Sequence, residues 1–211
     1  MERKPAAHAA QRRWVRRGAP ELAAGRDLAD ARALVADWHP PDAHQAAEQA
    51  RILAFIDAQG DALHRACLGG HLTASALLVD ADGGRALLTH HRKLGRWLQL
   101  GGHVDGEGNL ALAALRELEE ESGLLELEID VAPIDLDVHP IPARGSEPEH
   151  LHLDVRFLAR AAPGARAILS AESLELGWFA GDDIEGPNAR IATDESVRRL
   201  FRRAGLLAPA R

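Results

Sequence analysis

Residues 100–124, LGGHVDGEGNLALAALRELEEESGL, constrain this chain more than any other stretch. A double glycine and a polar loop lead into a run with helical periodicity, which predicts a helix over 109–121. In that helix Glu117, Glu120 and Glu121 lie three and four residues apart and share one face. Leu112, Leu115 and Leu118 recur every three residues on another face, as a buried stripe should. Like charges on adjacent turns repel, so the arrangement costs stability until a cation neutralises it. Hard divalent cations take oxygen ligands, and magnesium binds a few carboxylates while keeping positions for water and phosphate oxygens. The pattern points to a helix that holds magnesium against a phosphorylated substrate. A charged amphipathic helix that merely solvates its outer face would explain the glutamates. It would not explain the glycines or the spacing of Arg116 and Glu117.

Gly102, followed by Arg116-Glu117-Leu118-Glu119-Glu120-Glu121-Ser122-Gly123-Leu124, resembles the Nudix box, G-x5-E-x7-R-E-U-x-E-E-x-G-U with U aliphatic. Eight of the nine fixed positions match at the right spacing. The ninth, the first glutamate, falls on Gly108, with Glu107 adjacent and Asp105 two residues further back. The resemblance covers roughly residues 70–204. It implies an α/β fold, a Nudix-type α/β/α sandwich with a mixed sheet, here preceded by a helical N-terminal extension. The division is 1–66 for the basic start and extension, and 67–211 for the catalytic domain.

The same resemblance implies a metal-dependent hydrolase that cleaves the diphosphate bond of a nucleoside diphosphate linked to another group, using Mg2+ or Mn2+. Such hydrolysis needs neutralised phosphate oxygens and an activated water. A bound metal supplies both, and a carboxylate can accept the water's proton. By resemblance Glu120 and Glu121 are metal ligands, joined by the backbone carbonyl of Gly101. Glu117 is a further ligand or the base, and Arg116 orients the glutamates through a charge-assisted pair. Glu117, Glu120 and Arg116 form the catalytic set.

Histidine is the second anomaly. The chain has eleven, and His64, His71, His90, His91, His103, His150 and His152 fall near the expected site or on its strands. His150 and His152 alternate on one strand and would face the same side. Scattered, hydrogen-bonded surface histidines are the bland reading. The sharper one is a resemblance to isopentenyl-diphosphate isomerases, a Nudix relative that binds metal through histidines and two alternating glutamates. His64, His71 and His103 match in spacing, and His150 and His152 stand where the glutamates would be. The catalytic cysteine of that family would fall at Gly101, which argues against isomerisation. A histidine-rich site in a hydrolase would favour manganese or zinc over magnesium. His103 is therefore a candidate both for metal and for substrate phosphates.

Arg92, Trp97, His103 and His152 are the substrate-binding candidates, although Trp97 reads equally well as core. Pro140, sixteen positions beyond Leu124, lies close to a proline marker of ADP-ribose hydrolases. The chain has no tyrosine, so the tyrosine marker of dinucleoside polyphosphate hydrolases is absent. Glu172 and Glu175 could add a carboxylate, and the loop 144–149 could read the substrate. A third reading is a catalytically silent nucleotide-binding module. Gly108 is its hint, and the intact glutamates speak against it.

Composition bounds the partners. A net charge of −7 argues against a general nucleic-acid binder, and no run approaches a membrane-spanning length. The expected partner is a small-molecule diphosphate. Arg3, Lys4, Arg12, Arg13, Arg16 and Arg17 give a basic start that reads as a frayed, solvated terminus. The single cysteine, Cys67, fits a reducing cytoplasm and a buried small hydrophobe.

Two helices are expected between 27 and 60, with Asp42 as an N-cap, and a short third over 61–68. They should pack on the catalytic domain or on a second subunit of a homodimer. Strands are expected over 72–79 and 85–90, joined by an Asp82-Gly83-Gly84 turn. Others are expected over 97–100, 126–131, 135–138, 150–159 and 176–179, before a last helix over 194–204.

Overall fold

The computed structural model describes residues 12–92, 95–145, 147–168 and 173–209. In chain order the elements are β1 (Trp14–Arg16), a 3-10 turn at Pro20–Leu22, α1 (Leu28–Asp37), α2 (Ala43–Ala58), β2 (Gly70–Val79) and β3 (Ala86–His91). They continue with β4 (Arg96–Leu98), β5 (Leu100–His103), α3 (Leu110–Ser122), β6 (Leu127–Asp130), β7 (Asp135–Ile141) and β8 (His150–Ala161). The last are β9 (Ser173–Phe179), α4 (Gly181–Ile184) and α5 (Glu195–Ala204).

β2 is buried at every position, and its alternation sorts the molecule into two sides. Leu72, Ala74, Ala76 and Leu78 point into a core shared with Leu110, Leu115 and Leu118 of α3. Leu77 and Val79 point the other way, against Val197, Leu200 and Phe201 of α5. β2 runs parallel to β8 and antiparallel to β3 and β5, so the sheet is mixed and lies between helical layers. That is the expected α/β/α sandwich.

Local chemistry sets the helix ends. Asp27, Asp42, Asn109 and Asp194 are N-caps whose side chains accept amide hydrogens of the first turns of α1, α2, α3 and α5. Gly123 stops α3 in the left-handed region, at φ 69°, a conformation that costs glycine least. On α3 the buried stripe runs through Ala111, Ala114, Leu115 and Leu118, with Leu112 half-buried at its margin.

The helices of the N-terminal extension pack on the sheet of their own chain. Ala31, Val35, Ile52 and Ile56 belong to the same apolar core as α3, so no second subunit is needed to cover them. α2 also closes the edge of β7. The Gln45 amide donates to the Leu136 carbonyl at 3.0 Å and accepts from the Leu136 amide at 2.8 Å, and Glu48 accepts from the Val138 amide at 2.6 Å. An open strand edge is satisfied by side chains instead of a tenth strand.

Three expectations need correction. The basic start is not frayed over residues 12–17: β1 pairs with β6, Arg13 meets Glu21, Arg16 meets Glu128 at 3.0 Å, and Arg17 meets Glu119 at 2.9 Å. The acids that hold these arginines lie mostly more than a hundred positions away, beyond the reach of local pattern. Arg3 and Lys4 lie outside the described residues. Residues 61–68 make turns, not a third helix; His64 and Cys67 amides close i to i−3 bonds that do not propagate. The strand expected over 97–100 divides at Gln99 into β4, which pairs with β3, and β5, which crosses to β2. Cys67 is buried as expected, and burial pushes its thiol pKa up. No helix among the described residues is long and apolar enough to cross a membrane.

Candidate active site

The carboxylates of α3 meet the glycines of β5. A Cβ on Gly102 would lie 2.3 Å from a carboxylate oxygen of Glu117, and one on Gly101 would lie 2.2 Å from Ser75 Cβ. Neither position has room for a side chain. The Gly101 amide donates to Glu121 at 3.1 Å. Arg116 donates to the His103 carbonyl at 2.7 Å and pairs with Glu117 at 2.7 Å and Glu120 at 3.5 Å. One arginine thus ties the helix to the strand end while facing two of the glutamates.

Burial raises the Glu117 pKa, Arg116 pulls it down, and the neighbouring Glu120 charge adds to the rise. The Glu120 side chain is 59% exposed. Glu119, the fourth glutamate, points elsewhere and is held by Arg17. Glu117, Glu120 and Glu121 together gather hard oxygen donors at one end of a closely packed strand. That donor set suits a divalent cation of the magnesium type, and the glycines keep the approach to it free of side chains.

The departure at Gly108 has a physical cause. A Cβ there would lie 2.4 Å from the Asp27 carbonyl oxygen, and the Gly108 amide donates to the Gly25 carbonyl at 2.8 Å. The extension occupies the space a glutamate would need. Neither neighbour stands in for it. Glu107 accepts the amides of Gly25 and Asn109, each at 2.8 Å. Asp105, at φ 51°, is held by Arg65 at 2.6 and 2.9 Å. Asn109 adds bonds to the carbonyls of Glu21 and Ala23, so the box loop is stitched to residues 21–27.

The histidines gather on the face of the sheet opposite α3. His71 and His152 are register partners on β2 and β8, and His139 faces His152 from β7. The His71 ring centroid lies 4.9 Å from those of His103 and His152 and 5.0 Å from that of His150. His71, His103 and His152 bring one nitrogen each within 4.8 Å of one another. Burial, reinforced by neighbouring histidines, lowers the His71 pKa to about 4 and that of His152 to about 2, and burial lowers His103 as well. His64 stands apart, its ring against Gly106. His139 escaped the sequence reading, although the alternation Asp135, Asp137, His139 was a signal for it.

Below this cluster on the same face lies a buried ionic layer. Arg156 contacts Asp154 at 2.8 Å, Asp137 at 3.0 Å and Asp135 at 3.4 Å, and Arg199 meets Asp135 and Asp137. Thr73 and Ser75 donate to Asp154.

The remaining candidates separate. Trp97 stacks on His90 at 5.2 Å and meets Phe179 edge-on at 4.8 Å, packed against the α5 core, so its core reading fits the contacts. Arg92 is exposed in the turn after β3. Pro140 lies exposed on β7 opposite Leu151. Glu175 pairs with His90 across β9 and β3, while Glu172 lies outside the described residues. In the loop 144–149, Arg144 and Glu147 form an isolated bridge. A cavity of about 810 Å3 opens beside the box, lined among others by Arg26, His64, Asp105, Glu107 and Arg116. Arg26 had no motif to announce it; only the docking of the extension brings it there.

A helix carrying clustered carboxylates, seated by two glycines on a mixed sheet between helical layers, defines an α/β/α protein of the diphosphate-cleaving type. The model of the NUDIX domain matches residues 69–201. The chain belongs to the Nudix family, and with it to the hydrolases of phosphorus-containing acid anhydrides. Among solved structures it is similar to a Caenorhabditis elegans Ap4A hydrolase (binary complex), with 22% identity, a TM-score of 0.50, and coverage of 64% of this chain and 94% of that one. It is also similar to the Escherichia coli dihydroneopterin triphosphate pyrophosphohydrolase, with 18% identity, a TM-score of 0.51, and coverage of 62% and 92%. At these identities the likeness speaks for the fold. A comparison with curated protein sequences gave no match. The isomerase alternative is not favoured: Ser75 leaves no space at Gly101 for a thiol.

Proposed function

We propose that the chain is a Mg2+- or Mn2+-dependent hydrolase of a nucleoside diphosphate linked to another group, with Glu120, Glu121 and the Gly101 carbonyl as metal ligands. The observation that carries the reading is the convergence of three glutamates and one arginine on the glycine strand Gly101-Gly102. When bound, the cation neutralises the diphosphate oxygens and acidifies a water.

The residues of the chain do the rest. Arg116 holds Glu117 and the His103 carbonyl in register, so that helix and strand keep one geometry. Glu117, whose pKa burial raises, is a further ligand or the base that accepts the proton of the attacking water. Glu120, more exposed, and Glu121, anchored by the Gly101 amide, supply ligand oxygens. The cavity of about 810 Å3 is of a size that suits a nucleotide-sized ligand. Arg26, on its wall, is placed to pair with phosphate. Cysteine usage is consistent with a cytoplasmic enzyme.

The test is to incubate the purified chain with Mg2+ or Mn2+ and a panel of nucleotide sugars, dinucleotides, nucleoside triphosphates and isopentenyl diphosphate. Wild type should release phosphate-containing products from the linked nucleoside diphosphates, and Glu120→Gln should lose most of that turnover. Silence across the panel, with both proteins binding nucleotide equally, would support a silent binding module instead.

A further inference from the structure

We propose that His71, His103 and His152 form a second metal site, selective for a d-block ion such as Zn2+ and separate from the carboxylates of α3. The strongest sign is His71. Its side chain is buried, at 3% exposure, yet neither ring nitrogen has a hydrogen-bond partner among the described residues. Buried polar atoms are nearly always satisfied, so an orphaned ring set among other histidines calls for a water or an ion. Around this ring stand His103 and His152, with their nitrogens within 4.8 Å, and His150 at 5.0 Å between centroids.

The donor chemistry is wrong for magnesium and right for zinc. Neutral imidazoles are borderline ligands that suit zinc, copper, nickel or iron, whereas magnesium demands oxygen. A tetrahedral ion with nitrogens at about 2.0–2.1 Å needs those nitrogens about 3.4 Å apart. Binding would draw the three nitrogens from within 4.8 Å of one another to that spacing by rotation of the rings. Three protein ligands leave a fourth position, within reach of His150 or a water. His139, close to His152 at 5.6 Å between centroids, hydrogen-bonds Asp137 at 2.8 Å and so extends the cluster toward the buried ionic layer.

The two sites lie on opposite sides of one strand. Gly102 turns toward Glu117 on the α3 side, whereas the His103 ring turns to His71. The ion would clip β2, β5 and β8 together where the sheet is polar instead of apolar. Binding energy at such a clip is also folding energy.

The experiment uses the full chain stripped with a chelator, then titrated with Zn2+ and with Co2+, whose ligand-field absorption reports geometry. One equivalent should bind, should raise the melting temperature, and should resist excess Mg2+. X-ray absorption on the 1:1 zinc complex of wild type should show imidazole nitrogens. Glu120→Gln should keep this equivalent, and His103→Gln and His152→Gln should each weaken it about 100-fold or more. The wild-type spectrum needs no histidine variant to fold. Failure to take up Zn2+, a shell of oxygen alone, or loss of the equivalent in Glu120→Gln would overturn the proposal. None of these results bears on whether the carboxylates support hydrolysis with Mg2+.

Discussion

A Cβ at Gly108 would stand 2.4 Å from the carbonyl oxygen of Asp27. The irregular position of the box and the N-terminal extension are therefore one feature, since the extension lies where the glutamate would project. Restoring the family residue should do harm. Gly108→Glu is expected to cost about 1–3 kcal/mol through overpacking, read as a lower urea midpoint, without a gain in turnover. Unchanged stability together with faster hydrolysis would show that the glycine is a loss and not an accommodation.

The extension should behave as part of the folded unit. Removing residues 1–26 takes away the Leu22 burial, the β1 pairing and the Gly25 bonds to Glu107 and Gly108. Burial of one leucine contributes about 2 kcal/mol and each hydrogen bond about 1 kcal/mol. The shortened chain should melt well below wild type. Calorimetry on the deletion decides this, and an unchanged melting temperature would make the extension a passive appendage.

Arg116→Ala should move the pH profile. Burial raises the Glu117 pKa and Arg116 restrains the rise, so without the cation the carboxylate should hold its proton to still higher pH. If Glu117 is the base, the acidic limb of kcat/KM shifts to higher pH. A drop in rate with no shift of that limb would assign Arg116 to structure alone.

The ionic layer predicts an acid sensitivity with a definite sign. Burial opposes ionisation of Asp137, but the His139 hydrogen bond and the charges of Arg156 and Arg199 outweigh it, holding the carboxyl well below its ordinary 3.8. A depressed carboxylate pKa contributes stability that is present above the unfolded value and lost as pH falls through the folded one. The stability difference between wild type and Asp137→Asn should therefore be full near neutrality and shrink below pH 3.8. Denaturation curves at several pH values test it, and a constant difference would remove Asp137 from the account.

Much of this molecule is legible from local pattern because local physics sets it. The caps Asp27, Asp42, Asn109 and Asp194 carry their function in their own side chains. The glycine pair and the glutamate spacing of α3 announce a carboxylate site because helical geometry alone puts Glu117, Glu120 and Glu121 on one face. Alternation likewise puts His150 and His152 on one side of β8. β1, by contrast, is only three residues long, and its meaning lies in Asp130 and Glu128 across the sheet.

By itself, then, the sequence determined the box helix, its family and the class of chemistry, because these rest on spacings within a couple of dozen residues. Tertiary structure alone decided why position 108 is glycine, that Glu119 leaves the cluster for Arg17, and that Arg26 lines the cavity. It also decided that histidines from four strands share one pocket. Each of these depends on which distant backbone comes to lie alongside, and no periodicity along the chain encodes that.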